Sequence, residues 1–281
     1  MKRKSLKKKK IIITILICIA LVFIPSIIYS NHHIDVENIS FKSSDIPKAF
    51  DGVKIAHLSD YHNHGEKFDK RLVNILKKSE PDYIFITGDI ADKVFTDIDK
   101  ANHFLKEMSC IAPCYLVWGN HDKNIDDQDF EKMNSYAQDC GITVLNNDVV
   151  RLCKEDEYIS VTGNYDYIEN VTECGKDEFN IWLNHFPENF ETIADGTKNS
   201  GNQMDLMFSG HAHGGLIRFP GIKGLFAPGQ GIFPEYTSGL YEYNGSSMIV
   251  SRGIGNSTTT LRLFDTFHVI ICTLESENAM N

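Results

Sequence analysis

Apolar residues in the first half of the chain fall into short runs separated by stretches of helical periodicity. Val53 to Ser59 reads as a buried strand, after which Phe68, Leu72, Ile75 and Leu76 recur at helical spacing until Pro81 stops the helix. Tyr83 to Thr87 is the next predicted strand, Asp97 to Met108 the next helix and Cys114 to Trp118 another strand. Asp126 to Gln138 reads as a helix opened by an aspartate cap and closed by Gly141. The second half is richer in strands: Ile142 to Leu145, Tyr158 to Thr162, Phe179 to Asn184, Asp205 to Ser209, Met248 to Ser251 and Phe267 to Leu274. Parallel β-α-β units followed by mostly β structure predict an α/β (α+β) domain over residues 51–275. In it, two sheets pack together with helices outside.

The N-terminus follows a different pattern. After MKRKSLKKKK, the nineteen residues from Ile11 to Tyr29 carry no charge. As a helix they span about 28 Å, against a hydrocarbon core of about 30 Å. We read residues 1–10 as a basic cytoplasmic N-terminus, 11–29 as a transmembrane anchor in the bilayer and 30–50 as a polar linker. A cleaved signal peptide is the rival, but Ser26-Ile-Ile-Tyr-Ser30 matches an A-x-A-like cleavage site poorly. The basic cluster favours a single-pass protein of the cell membrane with an extracytoplasmic domain.

Charge narrows the partners. The chain carries 28 Lys and Arg against 38 Asp and Glu, but residues 1–30 hold seven of the cations and none of the acids. The remainder therefore stands at 21 − 38 = −17. So acidic a body attracts nucleic acid poorly at long range, and no basic aromatic track favours single strands. No nucleic-acid partner is expected. Cys18 lies in the anchor, and the other six cysteines, Cys110, Cys114, Cys140, Cys153, Cys174 and Cys272, permit disulfides without demanding them. Ordinary thiols are the simpler reading. Asn170-Val-Thr and Asn256-Ser-Thr match a glycosylation sequon and read as loop polarity.

Candidate chemistry sits where apolar runs end. SD60YH62, GD89IAD, GN120HD, NH185 and GH211AH213 each place Asp, Asn or His at the end of a predicted strand, the usual location of sites in α/β folds. Asp60 and His62, two apart, can point to one side of an extended chain. Asp89 offers two oxygens able to bridge two cations. Asn120 can ligate through its carbonyl oxygen, His121 can transfer a proton, and Asp122 can orient that histidine. Taken singly these blocks are weak signals. His185 alone reads as a structural histidine, and the Gly-Asp block as a turn.

Together, and in this order, the blocks D-x-H, G-D-x-x-D, G-N-H-D, H and G-H-x-H resemble the calcineurin-like metallophosphoesterases over about residues 50 to 275. LSDYHN, SGHAHGGLIRFPGIKGLFAPGQGIFPEYTSGLY and IVSRGIGNS are similar to its membrane-anchored bacterial phosphodiesterase branch. The resemblance implies a four-layer αββα sandwich of two mixed sheets. It implies one metal held by Asp60, His62, Asp89 and His213, and a second by Asp89, Asn120, His185 and His211. His121 then serves the leaving oxygen with Asp122 holding its ring, and Asp92 supports the ligands from behind. Imidazole and oxygen ligands suit two ions of Mn, Fe or Zn, and such a pair turns a bridging water into the nucleophile. The expected substrate is a phosphoester, a phosphodiester in preference to a monoester.

Departures from the family wording leave some positions open. Tyr61 stands where Leu is frequent, and Phe186 where relatives often have Arg. His64 is a candidate substrate contact or an exposed loop residue, and Arg218 and Arg252 are candidate phosphate binders or ion-pair partners. Phe219, Ile222, Leu225, Phe226, Ile232 and Phe233 form a candidate lipid-facing lip for a membrane lipid or lipid-linked substrate, with packing on the sheet as the alternative. A non-catalytic binding module on the same fold, a protein phosphatase and a nuclease are the competing functions.

Overall fold

The computed structural model describes residues 2–164, 178–219, 221, 223–257 and 262–280. Cys174, Ile222 and the Asn170 sequon lie outside the described residues, as does the last residue of the Asn256 sequon. In chain order the elements are α1 (Lys2–Ser30), β1 (Ile34–Ser43), β2 (Lys54–Leu58), α2 (Glu66–Ser79), β3 (Tyr83–Thr87), α3 (Ile98–Ser109) and β4 (Cys114–Val117). The short α4 (Asn120–Lys123), α5 (Asp127–Asp139), β5 (Thr143–Val144), β6 (Asp148–Lys154), β7 (Glu157–Asn164) and β8 (Asn180–Asn184) follow. The chain continues with α6 (Phe190–Ser200), β9 (Leu206–Ser209), β10 (Phe226–Ala227), β11 (Gly231–Ile232), β12 (Gly239–Tyr243), β13 (Ser246–Val250) and β14 (Phe267–Ser276).

One sheet has the order β1-β14-β2-β3-β4-β5 and the other β12-β13-β9-β8-β7-β6. Both are mixed. In the first, β2, β3, β4 and β5 run parallel and β14 runs antiparallel to β2. In the second, β7, β8, β9 and β13 run parallel, flanked by antiparallel β6 and β12. The period-two alternation of strand side chains assigns each strand residue to a layer. On β3, Phe85 enters the core between the sheets while Ile84 and Ile86 face α2 and α3, represented there by Leu72, Leu76, Phe104 and Leu105. On β8, Ile181 and Leu183 face the same inter-sheet core, while Trp182 packs on the far side with Phe190, Ile193 and Ala194 of α6. The expected four layers are helix, sheet, sheet, helix.

Caps match their sequence signals. The Asp97 and Asp126 carboxylates accept from the backbone N–H groups of Lys100 and Gln128, and Gly141 follows α5 at φ 79°. The span read as a polar linker needs correction, because it contains the ten-residue strand β1 paired in parallel along all of β14. Its apolar positions do not alternate cleanly because β1 is an edge strand, with Val36 39% exposed and only Ile34 and Phe41 buried among its apolar residues. Helix α1 lies outside the sandwich: Lys7–Ser30 contains an 18-residue stretch of mean hydropathy 3.1 with no buried residue, so the helix is long and apolar enough to cross a membrane. The cysteines among the described residues are free thiols, with Cys114 and Cys272 buried and pushed up to about 12 by that burial.

Candidate metal centre

Because β2, β3 and β4 run parallel in one sheet and β8 and β9 in the other, the loops after them meet at one end of the sandwich. These loops carry the five sequence blocks. Asp60, His62, Asp89, His211 and His213 all adopt positive φ, at 55°, 46°, 54°, 64° and 45°. Such values are uncommon for residues other than glycine, and strain of this kind clusters at functional sites. Gly88, at φ 83°, has to be glycine, since a Cβ there would collide with the backbone of Gly119. That close approach brings the β3 and β4 loops together.

Donor atoms converge in two regions joined by Asp89, and a third group, His62, Asp89 and His121, lies between them. In the first, His62 Nε2 lies 3.3 Å from His213 Nε2, which is 3.5 Å from Asp60 Oδ1. Asp89 Oδ2 is 3.8 Å from His62 Nε2. In the second, His185 Nε2 lies 3.2 Å from Asp89 Oδ2, 3.2 Å from Asn120 Oδ1 and 3.1 Å from His211 Nδ1. The carboxylates are almost completely buried. Burial holds the Asp60 carboxyl above its usual range. Burial also opposes protonation of His185, yet the adjacent Asp89 carboxylate overrides it and lifts the imidazolium to about 10. The raised value reflects the need of the buried Asp89 carboxylate for a positive neighbour. A cation placed between them satisfies the same need, so this donor set fits divalent metal ions, with acidic oxygens and imidazole nitrogens converging on common points.

His121 lies beside this group. Its backbone N–H donates to Asp89 Oδ1 at 2.7 Å, and its ring stands edge-on to His62 with centroids 4.6 Å apart. Burial lowers the His121 imidazole to about 4. Its Nδ1 accepts from the Lys93 backbone N–H at 3.3 Å, which assigns the proton to Nε2, 3.4 Å from Ser257 Oγ. Asp122 does not orient this ring. Its carboxylate accepts from the backbone N–H groups of Ala91 at 2.8 Å and Gly119 at 2.9 Å, tying the two loops together. Neighbours on a helix do not face each other, and His121 and Asp122 are neighbours on α4. Two carboxylates lie near the ring: Asp89, which shares a donor group with it, and the nearer Asp92, whose Oδ2 is 3.5 Å from His121 Nδ1 and 3.4 Å from His62 Nδ1.

His64 stacks on Phe68, centroids 3.9 Å apart. Phe186 meets the edges of His185 and His211 at 5.0 and 4.9 Å. Arg218 donates to the Gly214 carbonyl at 3.0 Å, and Arg252 is paired with Asp35 at 2.9 Å and Asp265 at 3.4 Å. Both guanidiniums are therefore engaged in holding loops. The sequence reading missed Arg262, which is fully buried and donates to the carbonyls of Arg252 and Gly255, each at 2.7 Å, with its Nη2 3.3 Å from His213 Nδ1. No motif marks it, since its partners come from loops distant in sequence from the GHAH block. Phe226, Ile232 and Phe233 are exposed, while Leu225 is half-buried.

Fold and site together define a metallophosphoesterase. The sequence profile of the calcineurin-like phosphoesterase family matches residues 53–215, and the chain belongs to that family. The Bacillus subtilis metallophosphoesterase YkuE is 30% identical over 262 residues, covering 88% of this chain and 87% of that protein. The Escherichia coli phosphodiesterase YaeI is 25% identical over 184 residues, covering 64% of this chain and 65% of that protein. A Danio rerio transmembrane protein with a metallophosphoesterase domain is 24% identical, covering 81% of this chain and 54% of that protein.

Proposed function

We propose that this chain is a membrane-anchored phosphodiesterase using two metal ions, one held by Asp60, His62, Asp89 and His213 and the other by Asp89, Asn120, His185 and His211. The observation that carries this reading is the sharing of Asp89 between two buried donor groups. Bound there, divalent ions supply Lewis acidity to phosphate oxygens and activate water at neutral pH.

The protein's own residues do the rest. As an imidazolium, stabilised by Asp92 3.5 Å from its Nδ1, His121 gives its Nε2 proton to the leaving oxygen and returns to the neutral ring. Asp122 keeps the two loops in register, so that His121 and Asp89 hold their relative positions. Arg218, Arg252 and Arg262 are all engaged in ion pairs or loop contacts, which leaves little arginine charge for a dianionic monoester and supports a monoanionic diester. The name of the relative YaeI agrees with this. Helix α1 with its basic flank supports an N-terminus in the cytoplasm and the body across the membrane. The apolar rim exposed at Phe226, Ile232 and Phe233 supports a lipid-linked diester.

Turnover of the metal-loaded full chain on bis-p-nitrophenyl phosphate and on p-nitrophenyl phosphate tests the reaction class. Faster cleavage of the diester is the expected result, and monoester preference would overturn it. A lipid diester in mixed micelles tests the substrate, and hydrolysis confined to soluble diesters would remove the lipid reading.

A further inference from the structure

Helix α1 does not separate from the body at its last residue. The Phe23 ring meets Phe264 edge-on with centroids 5.9 Å apart, and Ser26 Oγ accepts from the Phe264 backbone N–H at 3.3 Å. Ser30 Oγ accepts from the Asp265 N–H at 3.2 Å. At 1.5 Å per residue, Phe23 lies about 10 Å along the helix axis from Ser30, well inside the uncharged run. Whatever packs beside Phe23 therefore shares its depth. Phe264 does so, and Phe219 follows it with ring centroids 5.8 Å apart.

Both aromatics project from loops whose charged residues next to the rings are engaged with the body, while Lys223 further along the Phe219 loop is exposed. Phe264 is 37% and Phe219 36% exposed, while the neighbouring Arg262 and Asp265 are buried and paired, and Arg218 is held by the Gly214 carbonyl. The two loops are joined by backbone hydrogen bonds, Arg218 N–H to the Leu263 carbonyl at 3.0 Å and Leu263 N–H to the Leu216 carbonyl at 3.2 Å. The same pair of loops holds His213 from behind, through Arg262.

We propose that Phe219 and Phe264 form a lip that enters the bilayer leaflet beside α1, with acyl chains as its partner, so that the metal centre opens at the membrane interface. This rests on α1 being a membrane helix, and it deepens the lipid-linked reading of the substrate. Aromatic rings favour the boundary between headgroups and acyl chains, and apolar groups of interfacial elements are buried there by about 5–10 Å.

The test is fluorescence quenching of the full chain in nanodiscs by phosphatidylcholine brominated on its acyl chains. Phe264→Trp and Phe219→Trp report on the lip, Ile17→Trp on the helix, and Tyr158→Trp, 43% exposed on β7, on a surface of the second sheet. Trp118 and Trp182 are each 2% exposed and give a constant background. The added emission at positions 264 and 219 should fall at least about twofold, as at position 17, if the rings lie at that depth, and position 158 should be unaffected. Quenching at 17 with none at 264 or 219 overturns the lip and leaves the anchor standing. Absence of quenching at 17 removes both. Unchanged metal content in each variant shows that the site has folded.

Discussion

Asp89 Oδ2 lies 3.2 Å from His185 Nε2, although Asp89 follows β3 of one sheet and His185 follows β8 of the other. One carboxylate thus joins the two halves of the sandwich at the point where both donor groups meet. Asp89→Asn removes charge from both groups and should abolish stoichiometric metal binding. Asp92 touches His62 and His121 from behind, so Asp92→Asn should cost only the roughly 10–100-fold typical of residues that orient ligands. Metal analysis and turnover of the two variants, measured side by side, check the ranking.

His121 is expected to serve the leaving group without holding metal. His121→Ala should keep full metal occupancy while losing about 10²–10⁴ in rate, the range for a positioned general acid or base. A diester with a very acidic leaving group should be affected least. Loss of an ion from this variant would make His121 a ligand.

Much of this site is legible in the sequence because each block sits directly after an apolar run, and parallel strands bring such positions to one edge. The assignment of Asp122 to the His121 ring failed for a local reason. Adjacency in sequence is not adjacency in space on a helical turn, and Asp92, on another loop, is the carboxylate nearest that ring. Arg262 could not be found, because its importance lies in burial and in carbonyl partners that carry no sequence signal. Strand β1 was hidden among polar residues because an edge strand needs few buried side chains.

Asp205 offers a stability test remote from the metals. Burial pushes its carboxyl up to about 7, only partly offset by the Asn180 N–H that it accepts at 2.6 Å. A folded-state value above the unfolded one makes the folded chain bind the proton more tightly. This contribution is therefore complete below about pH 4 and lost as pH rises through about 7. Asp205→Asn keeps an acceptor and removes the ionisation, so it should raise Tm at pH 8 relative to wild type and have little effect near pH 4. In a domain of this size each 1 kcal/mol corresponds to about 2–4 °C. An equal shift at both pH values would show that ionisation is not involved.

Topology is checked by protease added to spheroplasts. With the lysine cluster inside, the body should be digested and an epitope at the first ten residues protected. Protection of the body behind a sealed membrane would reverse the orientation.

The central claim is that two metal ions share Asp89, and the most direct measurement is calorimetric titration of metal-free full-length protein with Mn²⁺ or Zn²⁺, repeated in buffers of different ionisation enthalpy. Two ions per chain should bind in wild type with net proton release, because His185 gives up the proton that Asp89 lifts to about 10. Asp89→Asn should lose stoichiometric binding of both. A single ion in wild type, or two ions still bound to Asp89→Asn, would contradict the shared-carboxylate centre.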